Sequence, residues 1–292
     1  MSKILFYLII KPLSFLPYGV LHVISRCFYY LMYYAVGYRK KVVRQNLRNS
    51  FPEKSESEIK SIEKKFYKHF LDIIIESVKL FSVSEKQVQR RMRVTNPEVV
   101  DQYSKEGQSV IIVGGHYNSW EMAGTALGNQ IHHQAVALYS VLKDPFFDRI
   151  MKDSRERFGT RMVSTKRSSR FFAGESRNNC AIIFGADQSP THNKSVYWTT
   201  FLNQETALAV GTEAYAKKYN FPVIYVYVRK QKRSTYTMTF EVITDKPQET
   251  PEGYISVEHT KRLESEILNE PEFWLWTHKR WKRKRLPDEK LL

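Results

Sequence analysis

The stretch Ser109-Val110-Ile111-Ile112-Val113-Gly114-Gly115-His116-Tyr117-Asn118-Ser119-Trp120-Glu121 decides how the chain is read. Its apolar run, bounded by glycine, predicts a buried strand. Gly114 and Gly115 permit a sharp bend and a close backbone approach. Asn118 and Ser119 are good N-cap types for a helix starting near Trp120. On one continuous helix His116 and Glu121 would stand about 140° apart. With His116 in the loop and Glu121 in the first helical turn, the two can converge. A carboxylate bonded to one imidazole nitrogen fixes the tautomer, so the other nitrogen can accept a proton. The spacing therefore predicts one of two things. Either His116 is a general base oriented by Glu121, or it is a structural histidine at a strand end and Glu121 is a solvated helix residue.

Outward from this unit, strands and helices alternate. Ser55-Glu56-Ser57-Glu58 is a capping-box start. It leads a helix with Ile59, Ile62, Phe66, Phe70, Ile73 and Ile74 on one face, out to about Leu80. A short helix is expected near Ser84–Arg93. Further helices are expected over Trp120–Gly128, over Asp148–Phe158 with Gly159 as its stop, over Ala207–Tyr219 with Asn220 as its stop, and over Ser256–Asn269. Further strands are expected over Gln134–Tyr139, Cys180–Phe184, Phe221–Val228 and Thr235–Thr244. The predicted fold is α/β: a single catalytic domain, residues 38–292, with a mixed central sheet flanked by helices. A hydrophobic, membrane-associating N-terminal helix over residues 1–37 is expected to precede it.

That N-terminal segment is apolar and rich in Tyr and Phe, but Lys11, Pro12, Pro17, His22 and Arg26 interrupt it. It either spans a bilayer, lies in the interface, or packs as a core helix. Arg39, Lys40, Lys41, Arg44 and Arg48 follow with no acidic residue between them. In either membrane version they keep the chain on the cytoplasmic side or grip anionic headgroups.

The formal charge of +16 over 292 residues calls for an anionic partner: nucleic acid, anionic membrane or acidic protein. Cys27 and Cys180 make no disulfide framework and fit a reducing compartment. Neither they nor His132-His133 form a zinc pattern, so no metal or cofactor is called for. Arg155 and Arg157 do not share a helix face, but near a helix end either can reach a phosphate. Asp187-Gln188 sits where a strand ends, a usual place for site residues in α/β folds. Near the C-terminus, Trp274, Trp276 and Trp281 precede or interleave the run Lys279–Arg285. This pattern suits either a membrane interface or single-stranded nucleic acid.

Taken together, these residues resemble the lipid A biosynthesis (late or secondary) acyltransferases of the lysophospholipid acyltransferase superfamily. The resemblance is carried by His116 and Glu121 after the glycine-rich strand end, and by Tyr38-Arg39-Lys40 through Asn46-Leu47 and Phe51-Pro52. Arg155-Glu156-Arg157, Asp187-Gln188 and Trp274-Leu275-Trp276-Thr277-His278-Lys279-Arg280-Trp281 continue it in family order over nearly the whole chain. It implies a membrane-associated O-acyltransferase at the inner (cytoplasmic) membrane, its catalytic domain facing the cytoplasm. Such an enzyme would move an acyl chain from a thioester, of acyl carrier protein in the first place and otherwise of coenzyme A, to a hydroxyl of a lipid A precursor, an anionic glycolipid. His116 would deprotonate that hydroxyl, with Glu121 holding it. Arg155, Arg157, Asp187 and Gln188 would bind substrate, with Lys143 standing where the family often has arginine. There is no G-x-S-x-G elbow to suggest an acyl-enzyme. Asn203 replaces a family glycine after Phe201-Leu202, which leaves open the same chemistry on another lipid acceptor, such as an amino-acid-based lipid or a lysophospholipid. The alternative outside enzymes is a basic membrane-tethering or nucleic-acid-binding protein; under the acyltransferase reading no nucleic acid is expected.

Overall fold

The computed structural model describes residues 2–174, 178–190 and 195–292. Among these, seven strands form one sheet. They are β1 (Met92–Val94), β2 (Val110–Gly114), β3 (Gln134–Tyr139), β4 (Arg161–Ser164), β5 (Cys180–Gly185), β8 (Val223–Lys232) and β9 (Thr235–Thr244), in spatial order β1-β9-β8-β2-β5-β3-β4. β8, β2, β5, β3 and β4 are mutually parallel, and β9 returns antiparallel to β8 with β1 alongside it. The sheet is therefore mixed, as the alternation of elements predicts. β6 (Val196–Phe201) and β7 (Gln204–Ala209) make a separate hairpin. Its turn residues Leu202 and Asn203 both take positive φ, of 50° and 61°. Asparagine is at home in that left-handed conformation, so Asn203 fits the turn.

Helices cover both faces of the sheet. Within β2, Ile111 and Val113 join one core, and Val110 and Ile112 the other. Period-2 alternation with both faces apolar makes the strand a continuous hydrophobic run. The first core includes α4 (Lys40–Ser50), α5 (Glu56–Lys79), α10 (Ser168–Ala173), α11 (Gly211–Tyr219) and α12 (Tyr254–Asn269). The second includes α6 (Glu85–Arg91), α7 (Glu98–Ser104) and α8 (Trp120–Ala126). The Ser55–Glu58 capping box forms as expected. Of the six apolar positions predicted for its face, Ile59, Ile62, Phe66 and Ile73 are buried, while Ile74 is turned outward. Several boundaries differ from expectation, two of them by a change of element type. Met92 leaves the helix to start β1, and Ala207–Ala209 belongs to β7, so α11 begins only at Gly211.

The N-terminal membrane helix is corrected. No helix among the described residues is long and apolar enough to cross a membrane. The segment is broken into α1 (Ser2–Leu5), α2 (Lys11–Phe15) and α3 (Tyr18–Tyr30), with π-helical turns at Phe6–Ile10 and Leu31–Val36. Pro17 is the main cause. It pushes Leu16 into an extended conformation (ψ 146°) and caps α3 instead of continuing α2. One face of α3 and the following turn, through Leu21, Ser25, Tyr29 and Tyr33, is buried; Ser25 meets Asp72 of α5, and the ring of Tyr33 meets that of Tyr67. The other face leaves Val20, Val23, Phe28, Tyr30, Leu31 and Tyr34 exposed. The basic run that follows is partly spent on structure: Arg44 and Arg48 pair with Glu63 and Glu56 of α5, and Arg39 donates to the Thr277 carbonyl.

Candidate active site

β2 and β5 are parallel neighbours in a register that sets Gly114 beside Gly185. The residue two positions past each glycine therefore emerges at the same height. These residues are His116 and Asp187, which meet with Nδ1 and Oδ1 2.6 Å apart. Asp187 Oδ2 accepts the His116 backbone N–H at 2.9 Å and the Trp274 indole N–H at 2.8 Å. An ionised carboxylate accepts only, so Nδ1 carries the proton and Nε2 keeps its lone pair. Gln188 reaches that nitrogen, its Nε2 standing 3.2 Å from His116 Nε2. The imidazole is 22% exposed and the carboxylate 4%. Asp187 thus stands behind the ring and the basic nitrogen faces outward.

Electrostatics follow from this placement. Burial pulls the imidazole pKa down, but the Asp187 charge and hydrogen bond, helped by Glu121, outweigh it and leave the pKa raised. Burial opposes ionisation of Asp187, yet the His116 charge and the three N–H donors hold its carboxyl well below the usual range.

Among the described residues Glu121 makes no hydrogen bond to His116. The start of α8 at Trp120 puts it in the first helical turn, as the spacing implies, but it turns to the end of α9 (Pro145–Glu156). There Arg155 grips it bidentately, with Nε to Oε2 at 2.8 Å and Nη2 to Oε1 at 2.7 Å. Ser119 stands at the N-cap but sends its hydroxyl to the buried Glu76, at 2.6 Å. Arg157 is not brought to His116: it donates to the Leu80 and Val83 carbonyls and ties down the end of α5. Lys143 lies exposed in the loop between β3 and α9. Among the described residues no group of three or more His, Cys, Asp or Glu side chains is placed to hold a metal ion.

The C-terminal Trp-rich segment has a use its composition concealed. Trp274 and Trp276 are fully buried, and Arg280 is 2% exposed. The segment closes over the site. Leu275 N–H reaches the His116 carbonyl, Asn118 N–H reaches the Phe273 carbonyl, and His278 Nε2 accepts the Ser189 N–H. Burial pushes His278 down to about 4, so it is a neutral acceptor at ordinary pH. Arg280 donates to the Ala207 carbonyl and lines a cavity of about 10 Å³, room for one water, together with Asp187 and His259. When His116 is neutral, this guanidinium is the cation that remains beside the buried Asp187 carboxylate, and the attraction is mutual. A Trp/Lys/Arg stretch reads as interface because composition does not say which side chains turn inward.

A family model described as bacterial lipid A biosynthesis acyltransferase matches residues 3–283. A lipid A biosynthesis acyltransferase of Haemophilus influenzae is 25% identical, over 94% of this chain and 88% of its own length. The lipid A biosynthesis palmitoleoyltransferase of Escherichia coli K12 is 22% identical, over 87% of this chain and 82% of its own. The lauroyltransferase of that organism is 21% identical, over 84% and 79%.

Proposed function

The chain belongs to the bacterial lipid A biosynthesis acyltransferase family and is an acyltransferase; from that premise we propose that His116 and Asp187 are its catalytic pair, transferring a fatty acyl chain from a thioester to a hydroxyl of a lipid A precursor. The observation that carries this is the 2.6 Å bond between His116 Nδ1 and Asp187, which leaves Nε2 outward-facing and basic. Nε2 takes the proton of the acceptor hydroxyl as its oxygen attacks the thioester carbonyl. The tetrahedral intermediate collapses with loss of the thiolate, which recovers the proton from the imidazolium. Asp187 stabilises that imidazolium and holds the tautomer; it does not itself take the proton. The Glu121–Arg155 pair flanks the base, and its partly exposed guanidinium is suited to the acceptor phosphate. Gln188, whose amide reaches His116 Nε2, adds to the polar rim, and Lys143 is a further candidate for the acceptor's negative charge.

The donor we favour is the thioester of acyl carrier protein, an acidic protein suited to a surface of charge +16. The exposed apolar side chains of residues 4–36 support a seat in a membrane surface, which this reading assigns to the cytoplasmic face of the inner membrane. The decisive experiment supplies purified wild type and His116→Ala, in detergent, with carrier-protein thioester and lipid A precursor. Wild type acylates the precursor and His116→Ala does not. Failure of wild type on every lipid hydroxyl sinks the reading, and full activity in His116→Ala sinks the base. Transfer to an amino-acid lipid or lysophospholipid alone would keep the chemistry and change the acceptor.

A further inference from the structure

We propose that the pocket between α3, α5 and the β8–β9 turn binds the phosphate of an anionic phospholipid. The pocket holds about 360 Å³ and is lined by Ser25, Arg26, Tyr29, Tyr30, Lys68, Asp72 and Arg233. Three cations face it against one carboxylate, and that carboxylate is already spent. Asp72 takes Arg233 bidentately, at 2.9 and 2.6 Å, and accepts the Ser25 hydroxyl at 2.6 Å. Asp72 thereby holds the Arg233 guanidinium in place at the wall. Among the described residues Arg26 and Lys68 make no ion pair, and the Lys68 ammonium stands 5.6 Å over the Tyr29 ring. Two uncompensated cations beside a fixed guanidinium fit a phosphate, whose oxygens accept several charge-assisted hydrogen bonds.

The ligand's other half is read from the helix. Arg26 lies three residues after Val23 and four before Tyr30, so the three share one face of α3. Val23 is 63% and Tyr30 56% exposed, and the apolar face continues through Leu31 and Tyr34. A free anion has no use for that stripe, whereas acyl chains lie along it while the phosphate enters the pocket. A choline head, with its own fixed cation, meets repulsion there. The inference rests on the membrane-facing reading of residues 4–36 and not on the acyl-transfer mechanism.

The test uses the full chain in uncharged detergent and titrates it calorimetrically with three probes: dihexanoyl phosphatidic acid, dihexanoyl phosphatidylcholine and inorganic phosphate. The phosphatidic acid is expected to bind at least about tenfold more tightly than either other probe. Arg26→Gln/Lys68→Gln, two exposed positions, is expected to lose that preference, with an unchanged circular dichroism spectrum. His116→Ala should bind as wild type does. Equal binding of phosphatidylcholine, or an unaffected double variant, overturns the site; inorganic phosphate binding as tightly as the lipid overturns the phospholipid as its occupant. Flotation with neutral vesicles separately reports whether residues 4–36 engage a bilayer, and acyl transfer reports the catalytic reading.

Discussion

Replacing Asp187 with asparagine separates the two candidate partners of His116. Asp187 Oδ1 faces the imidazole Nδ1, while Oδ2 accepts two N–H groups, from the His116 backbone and Trp274. An asparagine has two orientations there. With its oxygen toward Nδ1, its amide group opposes two donors. With its oxygen in the Oδ2 place both donors are satisfied, and the amide donates to Nδ1. The second orientation makes more hydrogen bonds and moves the ring proton to Nε2, the nitrogen that must act as base. A wrong-tautomer substitution in a buried His–carboxylate pair costs on the order of 10⁴ in turnover, or about 5 kcal/mol of barrier. Asp187→Asn is therefore expected to lose roughly 10³–10⁴ in kcat with the fold intact. Glu121→Gln breaks a partly exposed pair with Arg155 and leaves the tautomer alone. It should cost about tenfold, mostly in KM for a phosphorylated acceptor. The assay is acyl transfer from a carrier-protein thioester between about pH 5.5 and 9. Because Asp187 raises the His116 pKa, wild-type activity should climb with pH through a limb above the ordinary imidazole value of 6.5. Glu121→Gln should keep that limb nearly in place, and Asp187→Asn should lose it. If Glu121→Gln is the more damaging change while Asp187→Asn stays within tenfold of wild type, the assignment of Asp187 is refuted.

Gly185→Ala would place a methyl 3.1 Å from His116 Cε1. It should lower kcat about ten- to a hundredfold, since displacing a reacting group by even an ångström is costly, while the thermal midpoint moves little. Gly128→Ala drives its Cβ to 2.4–2.5 Å from the backbone of Phe158, Gly159 and Thr160, which cannot swing aside. A loss of about 1–3 kcal/mol or more in urea unfolding is expected. Arg280→Met removes the buried cation beside Asp187, so the imidazolium is favoured further and the activity limb should move to higher pH; a limb that stays put or moves down contradicts that role. In stability, the Asp187 contribution is present above its unfolded value near 3.8 and lost as pH falls through its depressed folded value. The His116 contribution is complete below 6.5 and lost as pH rises through its raised folded value. The stability difference between wild type and Asp187→Asn should therefore peak between about pH 4 and 6.5 and shrink on either side.

Strands were the most legible elements. Val110–Val113, Cys180–Phe184 and Thr235–Thr244 are long apolar or alternating runs, and buried parallel strands need little else. The β6–β7 hairpin was hidden because Thr206-Ala207-Leu208-Ala209 has helix-compatible composition, and only pairing with Val196–Phe201 makes it a strand. The N-terminal segment misled in the other direction. Its apolar length suits a membrane helix, but Pro17 acts locally and one face of α3 finds a protein partner in α5. The company Trp274 and Trp276 keep suits a membrane or nucleic-acid interface, although tryptophan with a paired indole N–H is equally a core residue.

The side chain that His116 contacts differs from the one its spacing suggests, and the difference has a physical cause. Sequence spacing ranks partners by nearness along the chain, which favours Glu121, five residues on. A parallel sheet ranks them by register, and register sets His116 opposite Asp187, 71 residues away. The signal was present as a repeated pattern: an apolar run, a glycine, one small residue, then the functional side chain, in Val113-Gly114-Gly115-His116 and again in Phe184-Gly185-Ala186-Asp187. Both glycines crowd what lies above them. A Cβ at Gly114 would stand 2.9 Å from Val226, and one at Gly185 would press on the His116 ring. Small residues at the ends of both strands are what let the imidazole lie down against the neighbouring strand. Glu121, freed from that task, meets the only cation described in hydrogen-bond contact with it, Arg155. The same two-residue offset from paired glycines thus accounts for the Asp187 contact, for the small side chains beneath it, and for a Glu121–Arg155 pair left at the rim where an anionic acceptor would arrive.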